Sequence, residues 1–253
     1  MAGTILYMEN ITVDFDGFKA IDGLNSYLEY GELRFLIGPN GAGKTTLLDV
    51  ICGKTKPATG RVVFKDDKDI TRTPEFKIVR MGISRKFQTP SVFNHLTVFE
   101  NLELAIQKNR RIFSALFHPL SGGQKDIIRT NLENIGLGDK AQVKAGALAH
   151  GEKQWLEIGM QLVQEPELLL LDEPVAGMTK KETEKTGELL RAIAKDRSVL
   201  VVEHDMEFVR NFAQKVTVMH EGKILCEGPV DQVQRDPRVV EVYLGRGRDD
   251  VKH

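Results

Sequence analysis

Gly38-Pro39-Asn40-Gly41-Ala42-Gly43-Lys44-Thr45 follows the run Leu33-Arg34-Phe35-Leu36-Ile37 and leads into Thr46-Leu47-Leu48-Asp49-Val50-Ile51. The first run predicts a buried strand. Leu47, Leu48 and Ile51 fall on one side of a helix over 45–52, which Gly53 stops. A strand, a glycine loop and a helix in that order are the setting of a phosphate-binding loop. The glycines let backbone N–H groups turn inward, the helix N-terminus adds its dipole, and Lys44 is a point charge for the β- and γ-phosphates. Gly38, Pro39, Asn40, Gly41, Ala42, Gly43, Lys44, Thr45 and Thr46 are therefore the candidate nucleotide site, for ATP. The Thr45 hydroxyl suits Mg²⁺, and Thr46 can reach the α-phosphate. With glycine near ~7% of residues, a chain of this size would hold the pattern by chance on the order of one time in a hundred.

On either side the chain alternates. From Ile5 to Ile37, short β-type runs are punctuated by Asp16-Gly17 and Tyr30-Gly31, and 60–64 reads as another strand. From Thr89 to Gln164 helical periodicity takes over, in Leu102, Ala105 and Ile106, in Ile128, Leu132 and Ile135, and in Leu156, Gly159 and Leu162. After Pro166, strands are expected over 168–171 and 199–202, helices over 181–195 and 205–214, and a hairpin around Glu221-Gly222. The reading is an α/β core, 1–88 and 165–245, with a helical insert over 89–164 and a polar tail over 246–253.

Leu168-Leu169-Leu170-Leu171-Asp172-Glu173-Pro174 puts two acids past the end of a buried strand, where an acid leaves water cheaply only beside a cation. Asp172 is the candidate Mg²⁺ ligand and Glu173 the general base that polarises the attacking water. Alone, such acids are more often solvated loop residues; the loop at 38–45 tips the reading towards chemistry. His204 also follows a strand, and its residue type fits a γ-phosphate contact or a structural cap equally well. Gln88, between the core and the insert, is by type alone an ordinary surface amide.

Bulk properties set limits. The 253 residues carry 35 basic and 36 acidic side chains, a net charge of −1, which gives no electrostatic reason to expect nucleic acid. Cys52 and Cys226 show no ligand spacing and read as buried thiols of a reducing compartment. There is no leader-like N-terminus, and no apolar run approaches the ~20 residues that cross a bilayer. A cytosolic chain is expected, or one that meets a membrane through a partner.

The loop, Gln88, Asp172-Glu173 and His204, in this order, resemble the ATP-binding subunit of ABC transporters over nearly the whole chain. Phe15-Asp16-Gly17-Phe18-Lys19-Ala20, Arg85-Lys86-Phe87-Gln88-Thr89-Pro90, Glu173-Pro174-Val175-Ala176-Gly177-Met178 and the stretch from Asp236 to Gly245 resemble the branched-chain amino-acid importer group, and within it the urea importer ATPase subunit most. The resemblance implies a P-loop NTPase (RecA-like) core with an N-terminal antiparallel β region and an inserted α-helical subdomain. It also implies that Phe15 stacks on adenine, that Gln88 touches Mg²⁺ and the attacking water, and that 89–104 lies near a groove for a permease helix.

Family members further carry Leu-Ser-Gly-Gly-Gln, which holds the γ-phosphate of ATP bound by a second subunit. Leu120-Ser121-Gly122-Gly123-Gln124 matches by letter, but the functional motif opens the helix that runs directly into the strand bearing the acids. Leu148-Ala149-His150-Gly151-Glu152 is placed to do so, and the signature is assigned there. Ala149 then replaces the serine and His150 the first glycine, while Thr179 stands where an aspartate is usual. The implied partners are transmembrane permease subunits, a second ATPase subunit (a paralogue or this chain itself) in a head-to-tail dimer, and indirectly a solute-binding protein. The implied location is the cytoplasmic face of the inner membrane. Uptake of urea or short amides is the expected task, with branched-chain amino acids as the alternative. A low-turnover ATP-binding module and a non-transport ATPase are the rivals from other classes.

Overall fold

The computed structural model describes residues 3–86, 92–107 and 121–244. Strands β1 (Thr4–Phe15) and β2 (Phe18–Glu29) form a long antiparallel hairpin, closed at Asp16-Gly17 where both residues have positive φ. With β4 (Thr59–Phe64) and β5 (Lys68–Asp69) they make a four-stranded antiparallel sheet in the order β2-β1-β4-β5. The second sheet runs β10-β9-β3-β8-β7-β6, from β3 (Leu33–Ile37), β6 (Ile83–Lys86), β7 (Leu168–Asp172), β8 (Ser198–Val202), β9 (Lys215–His220) and β10 (Lys223–Gly228). All its neighbouring pairs are parallel except β9–β10, which meet at the Glu221-Gly222 turn.

The unbroken apolar runs follow from this layering. Leu169, Leu171, Val199, Val201, Phe35 and Ile37 enter one core, whereas Leu168, Leu170, Leu200, Val202 and Leu36 enter the other. A parallel strand covered on both faces needs apolar residues at every position. The first core is completed by helices: α3 (Val98–Gln107), α4 (Gly122–Asn134), α5 (His150–Leu162), α6 (Lys180–Ile193) and α7 (Met206–Phe212). The second is completed by the antiparallel sheet, α1 (Lys44–Ile51) and Ile78 of α2 (Glu75–Met81). Two short helices, α8 (Val230–Val233) and α9 (Pro237–Leu244), close the described chain.

The α/β core, antiparallel β region and helical subdomain expected from the sequence are all present. Among the described residues no helix is long and apolar enough to cross a membrane. Gln88, Thr89, the Leu120 of the letter match and the tail over 246–253 lie outside the described residues.

Candidate nucleotide site at the strand edge

Because β3, β8, β7 and β6 are parallel, the residues that follow them emerge at one edge of the sheet. That edge gathers Gly38, Glu203-His204 and Asp172-Glu173, from stretches far apart in sequence. The glycine loop lies close against its surroundings. A Cβ on Gly38 would come within 2.2 Å of the Met219 carbonyl oxygen, and one on Gly43 (φ +98°) within 2.5 Å of that of Ala20. Gly222 N–H donates to the Ala42 carbonyl at 3.1 Å, so the β9–β10 turn braces the loop. Lys44 is buried and donates from Nζ to the carbonyls of Gly38 at 2.7 Å and Pro39 at 3.0 Å. Helix α1 starts at Lys44, so the N–H groups of Thr45 and Thr46 in its first turn have no acceptor within the helix and can meet an anion. Thr45 is exposed and Thr46 half-buried.

Asp172 is 2% exposed, and burial pushes its carboxyl above the usual range although Arg85 opposes the shift. Its Oδ2 accepts from Arg85 Nη2 at 3.3 Å, while Oδ1 has no hydrogen-bond partner among the described residues. A buried acceptor without a partner, on an oxygen ligand of the hard type, suits a divalent cation such as Mg²⁺, and the exposed Thr45 hydroxyl is of the same donor class.

Glu173 holds a left-handed backbone (φ 49°), and its N–H donates to the Val202 carbonyl at 2.9 Å. Its Oε1 lies 3.4 Å from His204 Nδ1, bringing together the two strand-end groups named from sequence. Phe15, the last residue of β1, is 52% exposed opposite Phe18.

His150 opens α5, which passes through 163–167 directly into β7. Its Nε2 lies 3.1 Å from the Ala176 carbonyl, on the segment after Glu173. Ala149 sits at the N-cap with no side-chain oxygen; its N–H donates to Glu152 at 3.1 Å. Gly151 packs against the Glu182 carboxylate of α6, which a Cβ there would meet at 2.4 Å. Thr179 caps α6, with Glu182 completing the capping box. Ser121-Gly122-Gly123-Gln124 opens α4 instead, with Ser121 as its cap, and α4 leads into two short 3₁₀ turns before α5.

Three charged residues at this edge had no role in the sequence reading. Arg85 pairs with Asp49 of α1. Glu203, 1% exposed, accepts from Val175 N–H and His204 N–H, each at 3.2 Å, and burial raises it to about 7. The signal for Glu203 was an acid directly after a buried strand, the same signal that picked out Asp172.

The family model described as ABC transporter matches residues 21–176, and one described as branched-chain amino acid ATP-binding cassette transporter matches 223–249. The high-affinity branched-chain amino acid transport ATP-binding protein LivG of Escherichia coli is 35% identical over 97% of this chain and 99% of its own length. A probable branched-chain amino acid transport ATP-binding protein of Methanocaldococcus jannaschii is 36% identical over 95% of this chain and 97% of its own. Among solved structures, the ADP conformation of an ATP-binding cassette of an ABC transporter superposes with a TM-score of 0.84 at 33% identity, covering 96% of this chain and 99% of that one. With the glycine loop, the paired acids and the strand-end histidine on one sheet edge, these matches lead to one conclusion: the chain belongs to the ABC transporter family, as an ATP-binding subunit whose ATP hydrolysis is coupled to transport.

Proposed function

We propose that this ATPase subunit powers a branched-chain amino-acid importer. What supports the substrate class is the transport function named for the relatives in E. coli and M. jannaschii, aligned along nearly the whole chain, together with the C-terminal match at 223–249. They favour it over urea, which rests on the resemblance of a few stretches.

In this reading 38–46 cradles the phosphates, Lys44 neutralises the β/γ charge and Phe15 stacks on adenine. Glu173 accepts the proton of the attacking water, and His204, beside it, holds the γ-phosphate. Thr45, Asp172 and Gln88 would hold Mg²⁺, which supplies charge neutralisation on the β- and γ-phosphates when bound. Residues 148–152 serve the ATP of a second subunit in a head-to-tail dimer; a dimeric cassette with ADP and phosphate is among the structural relatives, at 25% identity. The core spans 1–88 and 165–245, and 89–164 is the helical subdomain. A cavity of about 440 Å³, lined by Val79, Arg85, Phe93, Leu104 and Met160 among others, is the proposed seat of a permease segment. Docking there brings the chain to the cytoplasmic face of the membrane, with a solute-binding protein acting on the far side of the permease.

The test is steady-state ATPase of the purified chain with its permeases, beside uptake of labelled leucine and labelled urea. Glu173→Gln should keep ATP binding and lose turnover by ~10²-fold or more. Equal turnover in the two proteins would sink the catalytic reading in favour of a regulatory module. Uptake of urea but not leucine would overturn the substrate class alone.

A further inference from the structure

Arg85 stands where three parts of the molecule meet. It belongs to β6, and its side chain is 5% exposed. Nη1 donates to Asp49 Oδ1 on α1 and lies 3.6 Å from Cys52 Sγ at the end of that helix. Nη2 donates to Asp172 Oδ2 at the end of β7, at 3.3 Å. The guanidinium is thus shared between an acid on the loop's own helix and the buried acid at the end of β7. Arg85 and Cys52 also line the 440 Å³ cavity against Phe93, Leu104 and Met160 of the helical side. One planar group therefore touches the loop helix, the buried acid and the wall of the cavity. The fork geometry of arginine allows this, and lysine cannot copy it.

The acid it touches is the one whose other oxygen has no partner among the described residues. A divalent cation on Asp172 and the guanidinium would carry like charge on the same carboxylate, and in a poorly hydrated site their repulsion is strong. Asp49, with Cys52 beside it, already holds the other side of the guanidinium and can keep it when Asp172 is given up.

We propose that Arg85 is a positioning residue with two settings, shared between Asp172 and the Asp49–Cys52 pair before the metal–nucleotide complex binds, and released from Asp172 to stay on Asp49 and Cys52 alone afterwards, so that site occupancy is felt at the cavity wall. This rests on the reading of Asp172 as a metal ligand.

Cys52 is the reporter. In a Cys226→Ser background, alkylation of Cys52 by a small maleimide is timed with ADP in EDTA and with ADP plus Mg²⁺. A guanidinium drawn closer favours the thiolate, so Mg²⁺ should speed alkylation by about fivefold or more. Arg85→Gln, Asp172→Asn and Arg85→Lys, which keeps the charge but not the fork, should each abolish the response. Binding of a fluorescent ADP analogue is followed in parallel. If Mg²⁺ does not tighten that binding in the parent protein, the metal reading itself fails and the inference with it. If Mg²⁺ tightens binding but leaves Cys52 unchanged or slower, or speeds it equally in Arg85→Gln, the two-setting role is wrong while the metal reading stands. Measurements on the parent protein alone separate a failed metal reading from a failed two-setting role, whether or not Arg85→Gln folds.

Discussion

Two stretches open helices with nearly the same letters, and they live in different surroundings. At Ser121-Gly122-Gly123-Gln124 the cap is complete: Ser121 accepts from the Gln124 N–H and Gln124 answers the Ser121 N–H. Both glycines are exposed with nothing near a built Cβ, so among the described residues the stretch bonds only within its own helix. At Ala149-His150-Gly151-Glu152 the cap is deficient, yet the stretch is tied outward. His150 reaches Ala176, Gly151 is pressed on Glu182, and Trp155 of the same helix donates to Thr186 of α6 at 2.9 Å. The segment it grips, 174–178, is gripped in turn by Glu203 through Val175. A stretch that optimises its own cap is finished as a local structure. One that leaves its cap open while bracing the segment after Glu173 has the form of a part completed by something else.

The largest expected effect breaks or keeps that contrast outright. Gly151→Asp would push a carboxylate into Glu182 at a helix N-terminus expected to meet a phosphate, and should lower ATPase turnover by ~10²-fold or more. Gly123→Asp, exposed in the first turn of α4, should leave turnover within about twofold. Loss of activity from Gly123→Asp alone would move the signature to 121–124.

Next is Glu203, which ties the gripped segment to His204. Its carboxyl titrates near 4.5 when unfolded and is raised to about 7 in the fold, so the native state holds the proton more tightly. The stability this gives is full below about 4.5 and is lost as pH rises through about 7, a change of up to about 3 kcal/mol. Urea denaturation at pH 5 and pH 8 should show the parent losing more stability than Glu203→Gln. A parallel slope in both proteins would mean that Glu203 does not titrate in this window.

These residues mark how far the sequence could be read. The doubly buried strands were legible because apolar runs admit few other environments, and the loop because its glycines, lysine and strand–helix context are tightly specified. Asp172 and Glu173 were legible by their place after such a run. Arg85 and Asp49 were not: their pairing spans 36 residues, and that of Arg85 with Asp172 spans 87. A charged residue in a short strand reads as an edge position until its partners from other elements are known. Thr179, read as a missing aspartate, has a local role as the cap of α6, as a Ser/Thr-x-x-Glu pattern allows. The choice between 121–124 and 148–152 turned on connectivity, because periodicity is the same after both.

The smallest effects come from exchanging the one letter that separates the two stretches. Ser121→Ala should cost about 1 kcal/mol of stability by removing a cap that serves only α4, with turnover unchanged. Ala149→Ser installs the missing cap oxygen on α5 and should stabilise the isolated chain by a similar amount, about 0.5–2 kcal/mol. In the assembled dimer the same hydroxyl would meet a charged phosphate, a gain in ATP binding separate from the capping gain. The expectation is an apparent ATP affinity raised by up to about tenfold, for a contact near 1.5 kcal/mol. Thermal unfolding and ATP titration on both variants separate the two contributions. If Ala149→Ser changes only the melting temperature, its helix end faces solvent as that of α4 does, and the distinction between the two stretches collapses to one of packing.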